Sequence, residues 1–216
     1  MSLTLYFAAG SCSLPALVGL EEAGAEYERV RLVLPNGDQR RPEYLALHPR
    51  GRVPVLVVDG VAIGENIAIL TAIDRLYPQA RLLPSDDPVQ LARAYELLAW
   101  FASGVHVSFA QIGRPERYTR DTSAWPALKQ GGRENMLAAY AEIEARLADG
   151  RDWLLGEGFS LADPYAHVFH RWAARLEIDV AADYPAFQAH AERIQARPSF
   201  GRALVHEASE RTLAPA

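Results

Sequence analysis

The stretch that decides the fold is HPRGRVPVLVVDGVAIGEN, from His48 to Asn66. Its four β-favouring residues, VLVV at 55–58, follow a proline and stop at Asp59-Gly60, a dipeptide that favours a tight hairpin turn. A second short strand at 61–63 is expected to return beside the first. The triplet GEN at 64–66 then opens an amphipathic helical pattern. The stretch therefore predicts a hairpin that leads directly into a helix N-terminus, where unpaired N–H groups attract carboxylates.

The Val53-Pro54 pair sets the start of the first hairpin strand. Pro54 has no N–H to donate to a sheet, so it fits the first residue of a strand, and it biases Val53 toward an extended conformation. Val53 could therefore offer its main-chain N–H and C=O to an extended, peptide-like ligand. The alternative is an ordinary hairpin followed by a helix, and these residues alone leave both open.

The residues before this stretch predict a βαβ unit. Residues 3–7 form a strand, a helix begins near Ser13 and ends before Gly24, and the alternating pattern over 27–34 gives a second, parallel strand. Pro42 to Leu47 is expected to make one helical turn. The order β-α-β-α-β-β-α fills residues 1–80, an α/β domain.

The residues after Pro78 predict an all-helical domain. A polar, proline-rich linker at 81–88 comes first. Helices are then predicted over 89–112, 126–148, 160–176, 184–196 and 199–208, with a loose tail beyond. The second domain is therefore 89–216.

Charge and cysteine content restrict the partners. The net charge is −5 and the isoelectric point is near 5.7, which argues against binding nucleic acid. The single cysteine excludes an internal disulfide. The sequence shows no apolar run long enough for a membrane span and no secretory leader, so a cytoplasmic protein is expected.

Taken in chain order, the predicted strands, helices and motifs resemble those of the cytosolic glutathione transferase family over essentially the whole chain. Three motifs carry the resemblance: GSCSL at 10–14, HPRGRVP at 48–54 and Ser-x-Ala-Asp at 160–163. The first two are most similar to the bacterial beta-like class. The resemblance implies a thioredoxin-like N-terminal domain, a helical-bundle C-terminal domain, glutathione as cosubstrate, a homodimer and a role in detoxification.

The resemblance also implies a glutathione site in the first domain. The main chain at Val53-Pro54 would hold the cysteinyl part of the tripeptide. Glu65 would bind the γ-glutamyl ammonium, and Asn66 with the helix N-terminus would bind the γ-glutamyl carboxylate. Arg52 stands where the family usually has a polar residue that contacts the tripeptide, although a solvated loop charge is an equal alternative.

Cys12 and Ser11 are the candidate catalytic residues. Cys12 lies between a strand and a helix N-terminus, where the helix dipole would lower a thiol pKa or stabilise the thiolate of bound glutathione. The alternative is a small buried apolar residue. Ser11 is the second candidate donor to the sulfur. Phe7 stands where beta-like enzymes often have a tyrosine, so that hydroxyl is missing, and Phe7 is expected at the substrate pocket.

The resemblance implies further site residues in the helical domain. His106 matches a histidine that beta-like members direct at glutathione, although a lone helical histidine is also common at a surface or in a core. An apolar wall for the electrophile is expected from Phe109, Ile112 and Trp172, for which plain core packing is the alternative. His167-x-x-His170 lacks a third ligand, so no metal is expected.

The implied activity is attack of an activated glutathione thiolate on a small electrophile. One alternative is glutathione-dependent thiol transfer, in which Cys12 forms a mixed disulfide with glutathione. The other is a non-catalytic ligand carrier or interaction module with the same fold.

Overall fold

The computed structural model describes residues 1–156 and 158–208. The chain divides into two compact units. The first contains Met1–Asp86 and the segment that begins at Ile194, and the second contains Asp87–Arg193. The sequence-based division placed all of 89–216 in the helical domain, and the structure differs because the last helix packs with the first unit. The predicted tail beyond 208 lies outside the described residues.

The first unit contains a four-stranded sheet in the order β2-β1-β3-β4. Its strands are β1 (Leu3–Phe7), β2 (Glu28–Arg31), β3 (Val55–Val58) and β4 (Val61–Gly64). β1 pairs in parallel with β2 and antiparallel with β3, and β3 pairs antiparallel with β4. Asp59 and Gly60, at φ of 46° and 85°, make the predicted hairpin turn. The predicted parallel pair and hairpin are therefore both present.

Ten α-helices occur in the described part of the chain. They are α1 (Leu14–Glu22), α2 (Pro42–Leu47), α3 (Asn66–Leu76), α4 (Pro88–Trp100), α5 (His106–Gly113), α6 (Trp125–Leu147), α7 (Ala162–Ala173), α8 (Val180–Asp183), α9 (Pro185–Gln195) and α10 (Pro198–Glu207). None of the helices in the ranges 1–156 and 158–208 has the length and apolar character that a membrane span needs.

The two faces of the sheet carry different side chains. Strand alternation puts Phe7 on the fully buried side of β1 with two leucines, and it puts Tyr6 on the opposite side. Tyr6 packs there against a core cluster that includes Tyr44 and Val55. In the same unit, α1 and α3 pack against each other. The loops at the ends of β1 and before β3 are therefore held by buried strands.

α10 joins the first unit through charges on α1. Glu22 accepts hydrogen bonds from Arg197 and from the Ser199 hydroxyl. Glu21 accepts from Arg202 at 2.8 Å and lies 2.8 Å from the imidazole Nε2 of His206. These contacts connect the end of α1 to helix residues far along the chain.

The predicted helix over 89–112 is present and contains a π-helical segment. α4 ends at Trp100, a wider π-helical segment covers Phe101–Val105, and α5 begins at His106. The Ser103 hydroxyl donates to the Ala99 carbonyl at 2.8 Å beside this segment. A π segment changes the face on which the following residues lie, and such segments are frequent at functional sites.

The predicted capping signal at 160–163 forms a buried network. The Asp163 carboxylate accepts from the Ser160 main-chain N–H at 2.7 Å and from the Leu154 N–H at 2.9 Å. It also lies 2.8 Å from Nε2 of His190. Asp163 and His190 are fully buried, so this carboxylate joins three segments of the helical unit.

Candidate functional site

The loop between β1 and α1 is held by its own serines. The Ser11 hydroxyl lies 2.7 Å from the Ala8 carbonyl and 2.8 Å from Ser13 Oγ, and it accepts from the Ser13 N–H at 3.1 Å. The Ala8 N–H donates to Ser13 Oγ at 3.3 Å. Ser13 makes no side-chain cap bond to α1, although it occupies the cap position. The Ser11 hydroxyl is therefore engaged in hydrogen bonds within the loop.

Glu207 holds the same loop from α10. Its carboxylate accepts from the Gly10 N–H at 3.1 Å, and the side chain is buried. Gly10 has a φ of 66°, a conformation that favours glycine. The sequence analysis missed Glu207, since no local pattern relates a residue in the last helix to a loop near the N-terminus.

Cys12 is a buried thiol. Its Sγ lies 3.6 Å from the Val53 carbonyl oxygen, and 8% of the residue is exposed. Burial raises the pKa of this thiol to about 12, against lowering by its own main-chain N–H and by the Asn66 side chain. The sequence predicts either a thiol whose pKa the helix dipole lowers or a small buried apolar residue. The structure agrees with the buried alternative, because desolvation exceeds the interactions that lower the pKa.

The Val53-Pro54 peptide bond is cis, and β3 begins at the next residue. Pro54 is buried, Val53 is half-buried, and Arg52 is exposed. The main-chain carbonyl of Arg52 accepts a hydrogen bond from the Tyr44 hydroxyl, which fixes the chain just before the bend. The guanidinium of Arg52 therefore lies at the surface, and the bend itself adjoins the Cys12 thiol.

The N-terminus of α3 brings Glu65 and Asn66 to the same region. Glu65 precedes the helix with a φ of 68°, and its carboxylate lies 3.0 Å from the Arg50 guanidinium. The Asn66 side chain is buried and donates from Nδ2 to the Cys12 carbonyl at 2.9 Å. This donor holds the Cys12 loop, so α3 and the thiol loop are joined. The binding of a ligand carboxylate by Asn66 together with the helix N-terminus stays a prediction.

Phe7 is fully buried on the inner side of β1. Strand alternation directs this side chain inward, so its ring contributes to the core of the first unit. The burial gives no support to a place for Phe7 in the substrate pocket, which stays a prediction.

The candidate residues of the helical unit form an aromatic group among themselves. The Trp172 ring stacks on Phe109 at a centroid distance of 4.2 Å and meets His106 edge-on at 5.1 Å. Ile112 is half-buried and close to α6, where a Cβ on Gly132 would lie 3.0 Å from its Cγ1. The structure therefore brings together three of the four predicted residues, and it places Ile112 in the packing of α5 against α6.

His48 is a further residue near Glu65 that sequence reasoning passed over. Its ring is buried, and a Cβ on Gly64 would lie 2.4 Å from Nε2, so only glycine fits there. Burial lowers the pKa of His48, and the Arg50 charge lowers it further. The ring therefore holds the loop at 48–51 against the end of β4.

The His167 and His170 rings stack at a centroid distance of 5.3 Å. Burial lowers the pKa of His167 to about 3. Within residues 1–156 and 158–208, no group of three or more His, Cys, Asp or Glu side chains is arranged to hold a metal ion.

The fold and site define a class of protein. A mixed four-stranded sheet with a βαβ start, a proline bend before an antiparallel hairpin and a following helix N-terminus is the thioredoxin-like arrangement. A helical unit follows it in the chain. Together these give the architecture of the glutathione transferases.

Comparison with known proteins agrees with this class. Residues 9–76 match the glutathione S-transferase N-terminal domain, and residues 116–198 match the glutathione S-transferase C-terminal domain. The chain belongs to the glutathione S-transferase family.

Three similar proteins illustrate the range of the family. Glutathione S-transferase GST-4.5 of Xanthomonas campestris is 30% identical over 83% of this chain and 86% of its own. Maleylacetoacetate isomerase of Pseudomonas aeruginosa is 31% identical over 88% of this chain and 95% of its own. The structure of a glutathione transferase homolog from Sulfitobacter, solved with bound glutathione, is 33% identical in sequence and has a TM-score of 0.88. The match covers 94% of this chain and 97% of that one.

Proposed function

We propose that the protein is a glutathione transferase that activates the thiol of bound glutathione for attack on a small electrophile. One observation carries the proposal. The Asn66 side chain donates to the Cys12 carbonyl, so the N-terminus of α3, the Glu65 carboxylate and the loop beside Val53 lie together. A helix N-terminus favours a carboxylate, and Glu65 favours an ammonium. These are the two charges at the γ-glutamyl end of glutathione.

The proposed chemistry requires a thiolate on glutathione. The thiol proton leaves to solvent, the sulfur forms a bond to the electrophilic carbon, and the leaving group departs with its electron pair. Main-chain N–H groups of the Ser11-Cys12 loop are suitable donors to that thiolate. The Cys12 thiol, with its pKa raised to about 12, is a poor nucleophile and serves the loop as a buried neighbour.

The remaining assignments extend this proposal. Residues 1–80 would bind glutathione, including through Arg52 and the main chain at Val53-Pro54. The helical domain would add His106 and an apolar surface for the electrophile, which the contacts of Trp172 with Phe109 support. The family resemblance supports a homodimer in the cytoplasm with a role in detoxification.

A second candidate is glutathione-dependent isomerisation. The similarity to the Pseudomonas aeruginosa maleylacetoacetate isomerase, which extends over 95% of that protein, favours it. The same glutathione site would serve both reactions, since each begins with addition of the thiolate to the substrate. Thiol transfer through Cys12 is disfavoured by the burial of that thiol.

The test is binding followed by turnover. Glu65→Gln removes the proposed partner of the ammonium and should weaken glutathione binding about tenfold or more, as expected for a charge-assisted hydrogen bond. Glu96→Gln is the matched control, since Glu96 also forms an exposed ion pair, with Arg93 at 2.7 Å. Affinity is measured by calorimetry, and turnover with an aryl halide and with maleylacetoacetate. Equal affinity in the two variants would refute the proposed site.

A further inference from the structure

The Glu65 carboxylate already has a cationic partner within the chain. Arg50 NH2 lies 3.0 Å from Glu65 Oε1, with 65% and 67% of the two side chains exposed. This is the carboxylate to which the proposed function assigns the ammonium of glutathione. A guanidinium from the protein and an ammonium from the ligand would therefore meet the same acceptor.

Contacts within the first unit hold the backbone at both Arg50 and Glu65. On one side, the Gly51 N–H donates to the His48 carbonyl at 2.8 Å, and a Cβ on Gly51 would lie 2.6 Å from the Gln39 carbonyl oxygen. This fixes the turn that carries Arg50.

On the other side, the His48 ring packs on Gly64, directly before Glu65. Glu65 itself has a φ of 68°, in the left-handed region that non-glycine residues adopt rarely. The turn at 48–51 and the start of α3 are thus joined through one buried ring. Arg50 and Glu65 therefore face each other from backbone positions that these contacts hold, and their side chains are exposed.

We propose that Arg50 is an affinity-determining residue: it occupies Glu65 in the ligand-free protein and is displaced by the ammonium group of the incoming ligand. This inference rests on the proposed function. Arg50 acts as an internal competitor, so it weakens binding of the ligand's amino end and leaves binding of the rest unaffected. Displacement is feasible because exposed ion pairs contribute little free energy.

The expected effect is modest and measurable. Exposed pairs typically contribute about 0.2–1 kcal/mol, which corresponds to an affinity change of up to about fivefold. Arg50→Gln should therefore tighten glutathione binding by roughly 1.4- to fivefold at low salt. The gain should shrink at high salt, because salt screens exposed charges.

The experiment measures glutathione affinity by calorimetry for wild type, Arg50→Gln and Arg93→Gln. Arg93 is the matched control, because it pairs with Glu96 at similar exposure on α4. The second ligand is glutaryl-cysteinyl-glycine, which is glutathione without its α-amino group. Arg50→Gln should tighten binding of glutathione and leave that of the analogue unchanged, and Arg93→Gln should change neither. In a Glu65→Gln background, Arg50→Gln should have no effect.

Three results would overturn the inference. Unchanged or weaker glutathione binding by Arg50→Gln would mean that Arg50 does not compete, or that it contacts the tripeptide itself. Equal tightening for glutathione and the analogue would mean that the ammonium is not the competing group. Failure of wild type and Arg50→Gln alike to bind glutathione would overturn the proposed function as well, so the two failures are distinguishable.

Discussion

The burial of Cys12 makes a quantitative prediction about its reactivity. Burial raises the pKa of the thiol from 9.0 to about 12. At pH 8 this lowers the thiolate fraction roughly a thousandfold relative to an exposed cysteine. Because the thiolate is the reacting species, alkylation of the folded protein should be slower by about that factor. The thiol also lies against Val53, so limited access slows the reaction further.

The assay is labelling with iodoacetamide between pH 7 and 10, followed by intact mass. Cys12 is the single cysteine, so one added group reports one site. The control is the same protein in urea, where the thiol is exposed. Cys12→Ala should retain conjugation, because in the proposed reaction the nucleophile belongs to glutathione. A folded-state rate within tenfold of the urea control, with a midpoint below pH 9, would refute this reasoning and would favour thiol transfer through a mixed disulfide.

Two further predictions concern buried carboxylates, both measured by urea unfolding. Glu207→Ala should lower the free energy of unfolding by about 1.5–3 kcal/mol, because Gly10 N–H loses a charged acceptor, whereas Glu207→Gln retains an oxygen and should lose less. Equal stability of Glu207→Ala and wild type would contradict this prediction. Asp163→Ala should cost about 3–5 kcal/mol, since it breaks a buried network that includes His190. Asp149→Ala, in an exposed pair, is the control, and a similar loss there would count against the network.

The fold was predictable where its signals are local. The turn at Asp59-Gly60, the proline before β3 and the polar start of α3 each act over a few residues, so the sequence alone indicates them. The position of α10 is different. Its helical pattern is visible, but its packing on α1 depends on pairs such as Arg202 with Glu21, which no periodicity relates.

The π segment between α4 and α5 shows a second limit of prediction from the sequence. Apolar spacing continues from Leu98 through Phe101 to Val105, so the pattern predicts one continuous helix. The structure inserts a π segment there, which depends on local hydrogen bonding that residue spacing does not encode. Since His106 follows directly, the sequence predicts its presence on a helix but not the face on which it lies.

The sequence allows candidate site residues to be named, but it does not give their burial or their contacts. Glu65 and the bend at Val53 follow from motif and charge. The pKa of Cys12 does not, because the helix dipole is a local property and burial is a tertiary one. Val53 and Asn66 reach the thiol loop from distant segments, and their packing removes the solvent on which ionisation depends. Sequence reasoning therefore leaves two alternatives for Cys12, and the structure shows that burial raises the pKa of its thiol.

The buried Cys12 thiol and the Glu65 carboxylate paired with Arg50 together indicate which groups the protein and the ligand would each supply in the proposed reaction. In the proposed reaction the sulfur nucleophile belongs to the ligand, because burial raises the pKa of the protein's own Cys12 thiol, so the chain would contribute mainly binding and orientation. In the proposed site the ligand's ammonium would bind Glu65, a carboxylate that the exposed Arg50 side chain also contacts at 3.0 Å. Loss of Cys12 should then leave the chemistry largely intact, while changes at Glu65 and Arg50 should alter glutathione affinity in opposite directions.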